Sequence, residues 1–281
     1  MPAPRRRIVD VGAHAQFRAS PAYSSLLAWI TALADSVIGT QLPPPEQVDD
    51  DLAQPLRQAL EVLARLESWL EEFPPATTSL RYGNPAYKQW HARLCAEAVP
   101  LMSTLVPDEG HAAELAAYFK EAFGNEVRID YGTGHELTFL VWMHGLAKYT
   151  AGEDEPGVRR GLVLHVLQRY LLLMRKLQKT YWLEPAGSVS SRGLEPWPSR
   201  PPLARPRPTA RSVPTFPLLP AAQHGVWGLD DYQFLPFLLG AAQLVGREGE
   251  IAPRSIHDEG LLESEHERCA PRPLPARAAA R

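Results

Sequence analysis

Prolines constrain this chain more sharply than any other residue, because a ring locked at negative φ with no N–H cannot continue a helix. Pro43-Pro44-Pro45 and Pro74-Pro75 each close a segment of helical spacing. Before the first lies Tyr23 to Ile38, with Leu26, Leu27, Ile30, Leu33, Ala34 and Val37 on one side. Asp50 to Phe73 repeats the pattern through Leu52, Leu56, Leu60, Leu63, Leu66, Trp69 and Leu70. Asn84-Pro85 reads as the next helix start, with Asn at the cap and Pro at the first helical position, continued by Trp90, Leu94, Ala98 and Leu101. Another begins at Asp108 or Glu109, passes Leu115, Tyr118 and Phe119, and stops at Gly124-Asn125. Leu137 to Tyr149 is apolar on nearly all sides and reads as a buried helix. Gly157 to Tyr181 reads as a long helix whose basic end, Arg175, Lys176 and Lys179, complements the dipole, and Leu229 to Val245 as the last helix. No window alternates with period two, so the expected fold class is all-α, multi-helical.

The densest chemistry falls at Arg128 to Glu136, Arg-Ile-Asp-Tyr-Gly-Thr-Gly-His-Glu. Gly132 and Gly134 lack Cβ, which admits positive φ and close approach of a ligand or another segment. Thr133 and Glu136 have the spacing of a capping box, with the hydroxyl on the N3 amide, the carboxylate on the Thr amide and a helix starting at Gly134. The free amides of such a start suit a phosphate beside Arg128. The same spacing also serves helix starts that bind nothing. No Gly-x-Gly-x-x-Gly or P-loop is present, and a His-Glu-x-x-His zinc helix is excluded because Phe139 stands where the second His is needed.

At 281 residues the chain can bury a sizeable core, as one large domain or two small ones. A net charge of −3 gives no global basic field for nucleic acid. Cys95 and Cys269 form no disulfide framework, and a reducing compartment is expected. The start is charged without an apolar run behind it, so a signal peptide is not expected. Leu162 to Leu173 is interrupted by His165, Gln168 and Arg169 and is too short to span a bilayer. The expected location is cytoplasmic, with the nucleus as an alternative. Val189 to Gln223 carries nine prolines and five arginines against one acid with no helical period, and is expected to be disordered, as is the Ala/Arg/Pro-rich tail Cys269 to Arg281. The expected organisation is a flexible start at 1–20, a helical part at 21–188, the insert at 189–223, the helical part continued at 224–268, and the tail at 269–281.

Four blocks together resemble one family. They are Arg81-Tyr82-Gly83-Asn84-Pro85-Ala86-Tyr87; Phe123-Gly124-Asn125 through Arg128 to Glu136; Tyr170 with Met174 to Tyr181 and Glu184-Pro185-Ala186-Gly187-Ser188; and Gly225-Val226-Trp227-Gly228-Leu229-Asp230-Asp231-Tyr232-Gln233-Phe234-Leu235-Pro236-Phe237. The chain resembles the serine/threonine-protein phosphatase 2A activators, also called phosphotyrosyl phosphatase activators, from about Tyr23 to Glu267 with the insert set aside. The resemblance implies core, linker and lid parts around a deep cleft. It further implies activation of the phosphatase 2A catalytic subunit, with its scaffold subunit, in an ATP- and magnesium-dependent way, and peptidyl-prolyl cis-trans isomerase activity on proline-containing segments. It assigns nucleotide contacts to Arg128, Thr133 and Gly134, and magnesium positions to Gly225 and Asp231.

These assignments are chemically compatible. Arg128 can pair a phosphate at two points, and the amides of Thr133 and Gly134 can donate to it. Asp231 offers a hard oxygen and Gly225 a carbonyl, which suits magnesium better than zinc. Asp230-Asp231 is equally readable as a helix N-terminal turn, and Trp227 as a core aromatic. Prolyl isomerisation needs no nucleophile: its barrier of about 20 kcal/mol falls when a cleft binds the twisted amide better than the planar one. No catalytic base is therefore assigned; Asp130, Glu136, Trp227 and Asp230 are the cleft candidates. The alternatives are a non-enzymatic helical scaffold for the phosphatase, or an inactive truncated isoform.

Two departures from the family stand out. Glu-Pro-Ala-Gly-Ser there runs almost directly into Gly-Val-Trp-Gly-Leu-Asp-Asp, whereas here Val189 to Gln223 intervenes. Val codons begin GT and Gln can be coded CAG, so an in-frame retained intron is the expected origin; closing such a loop costs only about 3 kcal/mol. Ile251 to Glu267, with Arg254-Ser255-Ile256-His257-Asp258, still follows the family, but Cys269 to Arg281 does not. The family's last helices, with further nucleotide contacts, are expected to be missing through a frame error or altered splice near Arg268. The apolar surface this leaves would favour aggregation.

Overall fold

The computed structural model describes residues 4, 7–77, 83–152, 155–186 and 232–246. Over these residues the chain is helical, as its periodicity predicts. α1 (Val11–Arg18) and α2 (Pro21–Ser36) are each capped by a polar side chain, Asp10 accepting from the Ala13 amide and Ser20 from the Tyr23 amide. α1 falls inside the stretch expected to be flexible; an Asp N-cap needs no apolar periodicity to start a turn, and α1 buries no residue. α3 (Gln54–Glu72) turns Leu56, Leu63, Leu66 and Trp69 inward as expected, together with Ala59 and Val62, while the expected Leu60 and Leu70 are only half-buried.

α4 (Ala86–Ser103) follows Asn84-Pro85, and the Asn84 side chain accepts from the Ala86 amide at 3.0 Å while its carbonyl accepts from Tyr87 at 3.1 Å. α5 (Glu109–Glu121) is capped by Asp108, which accepts from the His111 amide at 2.8 Å. α6 (Thr133–Leu146) continues into a π-helical turn at Ala147–Ala151. α7 (Pro156–Gly161), a second π-helical stretch at Leu162–Leu167 and α8 (Gln168–Tyr181) form the long helix expected there, widened at its middle. A Cβ on Gly161 would lie 2.6 Å from Leu52 and 2.9 Å from Leu56, so the helix entering the π stretch presses directly on the start of α3.

α9 (Leu235–Leu244) starts later than the predicted Leu229: Tyr232 to Phe234 are not helical, and Leu229 to Asp231 lie outside the described residues. The basic end of α8 does more than complement its own dipole, because Lys176 pairs with Glu67 of α3, which also takes Arg169 at 2.7 Å.

The core is aromatic. Phe139 of α6 stacks on Tyr170 of α8 at 3.7 Å and 5°, and Phe123 meets Tyr170 edge-on at 5.5 Å. Tyr87 and Trp90 of α4 continue this layer toward Trp69 of α3. The one pair of strands among the described residues is minimal: β1 (Asp130–Tyr131) runs parallel to β2 (Glu184–Pro185), with Asp130 opposite Glu184 and Tyr131 opposite Pro185. No helix among the described residues is long and apolar enough to cross a membrane.

Candidate functional site

The Arg128–Glu136 segment is set up by the loop before it. Gly124 sits at φ 119°, and a Cβ there would lie 2.6 Å from both the Asp130 carbonyl oxygen and the Tyr87 hydroxyl. This glycine is required for both conformation and room. The Asn125 amide then donates to the Asp130 carbonyl at 2.9 Å, the Ile129 amide to the Asn125 carbonyl at 2.8 Å, and the Asn125 side chain accepts from Val127 and Arg128. Ile129 completes the loop in the left-handed region at φ 54°, and the chain comes back on itself at β1.

From there the backbone is joined to chain far away in sequence. Glu184 donates to the Ile129 carbonyl at 3.1 Å and Ala186 to the Tyr131 carbonyl at 2.7 Å. One turn earlier, Gly83 and Asn84 donate to the carbonyls of Trp182 and Tyr181 at 3.0 and 2.8 Å. The Tyr232 hydroxyl donates to the Leu183 carbonyl at 2.9 Å, and its ring lies parallel to Tyr131 at 6.5 Å. All four sequence blocks therefore meet around β1 and β2.

Arg128 and Asp130 are joined to each other. The guanidinium holds the carboxylate at two points, Nε–Oδ2 2.5 Å and Nη2–Oδ1 3.1 Å, and this bond holds the Arg128 pKa above its usual value. Arg128 is largely exposed and Asp130 nearly buried, its side chain 9% accessible. His135 approaches the same carboxylate, Nε2 to Oδ1 at 4.0 Å, while its Nδ1 lies 2.6 Å from the Glu121 carbonyl oxygen, which sets Nδ1 as the protonated nitrogen. A nucleotide phosphate on Arg128 would have to share the guanidinium with Asp130, whose bond leaves other N–H donors of the group free to do so.

Two expectations for this segment are corrected. Gly132 is extended at φ −173°, and Gly134 lies inside α6, which begins at Thr133; neither adopts positive φ. What Gly132 supplies is closeness, since a Cβ would stand 3.0 Å from the Ala186 Cβ and 3.1 Å from its carbonyl oxygen. The capping box does not close either: the N-cap is Gly132, and the Glu136 carboxylate turns to the start of α9, accepting from the Phe234 amide at 2.7 Å and the Leu235 amide at 3.1 Å. Those two amides are a better partner because α9 begins without a capping side chain of its own.

Thr133 and Gly134 are exposed, and a Cβ on Gly134 would meet nothing within 4 Å. Their amides precede the first intrahelical donors of α6, those of His135 and Glu136. Gly225, Trp227, Asp230 and Asp231 lie outside the described residues. Among the described residues no group of three or more His, Cys, Asp or Glu side chains could hold a metal.

One functional support escaped the sequence reading. Tyr170 donates to the Ala122 carbonyl at 2.6 Å and bonds the Tyr131 hydroxyl at 3.0 Å, fully inside the core. Burial, and then Tyr131, push the Tyr170 pKa far up, so the Tyr170 hydroxyl stays neutral. Tyr131 and Tyr170 each stood within a block; their pairing was not legible, because nothing in local spacing pairs positions on β1 and α8.

Comparisons with known proteins agree with the converging blocks. The model of the family described as "Phosphotyrosyl phosphate activator (PTPA) protein" matches residues 4–198 and 210–270. "Serine/threonine-protein phosphatase 2A activator 2" of Neurospora crassa is 35% identical over 272 residues, covering 92% of this chain and 50% of that protein. "Probable serine/threonine-protein phosphatase 2A activator 1" of Dictyostelium discoideum is 32% identical over 255 residues, covering 88% of this chain and 64% of its own length. The chain thus spans about half the length of the Neurospora protein. The crystal structure of the PP2A phosphatase activator Ypa1 is similar at a TM-score of 0.71 and 26% identity, over 95% of this chain and 73% of that one. A match of that extent, in sequence and in fold, makes this chain a member of the phosphotyrosyl phosphate activator (PTPA) family.

Proposed function

We propose that this chain activates the protein phosphatase 2A catalytic subunit, bound with its scaffold subunit, and does so as a peptidyl-prolyl cis-trans isomerase dependent on ATP and magnesium. The observation that carries the reading is the meeting of four sequence-distant blocks around β1 and β2, with Gly83 and Asn84 on the backbone of Tyr181 and Trp182, and Tyr232 on Tyr131. Blocks separated this far come together at no cost to the helical core only if the core is built to present them.

In this reading the amides of Thr133 and Gly134, together with the Arg128 donors left over from Asp130, hold the nucleotide phosphates. Gly225 and Asp231 would hold magnesium through hard oxygens, a carbonyl and a carboxylate. Nucleotide and metal, when bound, would supply concentrated charge beside β1. The residues themselves carry no proton in the isomerisation. Their work is to bind a proline-containing segment with its amide twisted out of plane, which lowers a barrier of about 20 kcal/mol set by amide resonance. Asp130 and Glu136 then act by shaping the cleft, Trp227 and Asp230 by lining it. Action on a phosphatase in the cytoplasm and nucleus follows from the same reading.

The test uses the purified chain with the phosphatase catalytic subunit. Dephosphorylation of a phosphopeptide is followed with and without ATP and magnesium, alongside cis-trans relaxation of a short X-Pro peptide. Activation and faster relaxation are expected from the wild type, both reduced by Arg128→Ala. Activation without any isomerisation would leave a scaffold that binds the phosphatase and turns nothing over. Absence of both would overturn the proposal.

A further inference from the structure

α9 begins with Phe234-Leu235-Pro236 and has no capping side chain of its own. Phe234 at the N-cap has no side-chain oxygen to accept from the first turn, and Pro236, well suited to that turn, has no N–H. Two backbone donors remain there, the amides of Phe234 and Leu235. Both are taken by the carboxylate of Glu136, at 2.7 Å for Phe234 and at 3.1 and 3.2 Å for Leu235. Glu136 is 1% accessible, so an acidic group has been carried into the interior to meet them.

Burying a carboxylate is costly unless it is hydrogen-bonded, and well-packed apolar residues stabilise a helix contact more cheaply. What the carboxylate adds is direction. It accepts from the amides at one helix start, where the dipole favours negative charge. The far end of α9 is fixed independently, with the Gly39 amide donating to the Ala242 carbonyl at 3.3 Å. Tyr232, just ahead of the helix, is pinned on Leu183 and Tyr131.

We infer that Glu136 is a positioning residue: its carboxylate caps α9 across the fold and locks the residues leading into that helix against the Arg128–Glu136 segment. The first turn of α6 and the first turn of α9 are thereby one mechanical unit, so a ligand that orders one orders the other. The bearing of this coupling on phosphatase activation rests on the function proposed above; the capping itself does not.

The experiment is hydrogen–deuterium exchange on the full chain, comparing wild type, Glu136→Ala and Glu136→Gln. Loss of a charge-assisted bond to two amides raises exchange over 232–239 by about tenfold or more in Glu136→Ala, with 164–173 unchanged. Glu136→Gln keeps the shape and one acceptor oxygen, and is expected to fall between the two; it decides the matter if the alanine variant does not fold. A rise confined to the first turn of α6 would mean that Glu136 caps its own helix, and overturns the inference, as does unchanged exchange over 232–239. Phosphatase activation is read on the same variants. Activation retained with α9 loosened overturns the coupling, whereas a wild type that does not activate fails the proposed function and leaves the exchange result standing.

Discussion

Arg128 and Asp130, with one residue between them, form a two-point ion pair at 2.5 and 3.1 Å, the acid nearly buried and the base open to solvent. Ile129 between them is left-handed at φ 54°. Among the described residues, removing the cation leaves the carboxylate the more distant His135 ring, 4.0 Å away. Arg128→Ala is therefore expected to lower stability by about 1–2 kcal/mol, less than a fully buried pair because the guanidinium is exposed. Arg128→Lys keeps the charge but loses the fork, and should recover part of that loss. Urea denaturation measures both; an unchanged midpoint in Arg128→Ala would show that solvent alone satisfies Asp130.

Gly124 and Gly134 should respond in opposite ways to the same added methyl. At Gly124 the methyl faces a backbone carbonyl and the Tyr87 hydroxyl at 2.6 Å in a conformation that L-residues avoid. Gly124→Ala is expected to cost about 3 kcal/mol or more, from strain and overpacking together. At Gly134 the methyl meets nothing within 4 Å and the backbone is already helical, so Gly134→Ala is expected to be neutral or to stabilise by up to about 0.5 kcal/mol. Thermal melts of the two variants side by side test this, and a comparable loss in both would contradict it.

Tyr170→Phe removes one oxygen and with it the bonds to the Ala122 carbonyl and the Tyr131 hydroxyl. Stacking on Phe139 is untouched. The expected loss is about 1–3 kcal/mol, from two buried hydrogen bonds lost at once. Tyr131→Phe leaves Tyr170 its bond to Ala122 and should cost less. Equal losses in the two would mean that the hydroxyls act only as a pair.

His91 gives the chain an acid-side limit. Burial lowers its pKa below the ordinary 6.5, outweighing the attraction of the Glu126 carboxylate 3.6 Å from Nδ1. The folded state thus binds the proton less readily than the unfolded chain. The sign follows: stability contributed by the neutral ring is fully present above pH 6.5 and is lost as pH falls from there through the lowered folded value. The slope from this one group approaches about 1.4 kcal/mol per pH unit at most. Denaturation midpoints between pH 7.5 and 5 should fall less steeply in His91→Gln than in the wild type, and parallel curves would remove His91 as the cause.

Helix positions were legible wherever apolar residues recur at three and four and Pro or Gly marks an end. α3 is the clearest case, with Leu56, Leu63, Leu66 and Trp69 readable and only Ala59 and Val62 missed, and the stop at Gly124 was readable because a helix end so often needs a residue free of Cβ. α1 and the start of α9 were not. α1 has no buried stripe to announce it, and α9 takes its cap from outside its own sequence.

An all-helical chain, the segments its prolines separate, and the four blocks that carry the family likeness were all legible in the order of residues. Those properties are local: they follow from periodicity, from backbone freedom at single residues, and from the order of short motifs. What the polar groups of those blocks do became visible with the packing. Thr133 and Glu136 have a capping box's spacing, yet the carboxylate serves amides 98 residues away in sequence. A carboxylate buried by packing goes to whichever unsatisfied donors the packing brings to it. Spacing along one helix cannot register donors that arrive from another part of the chain.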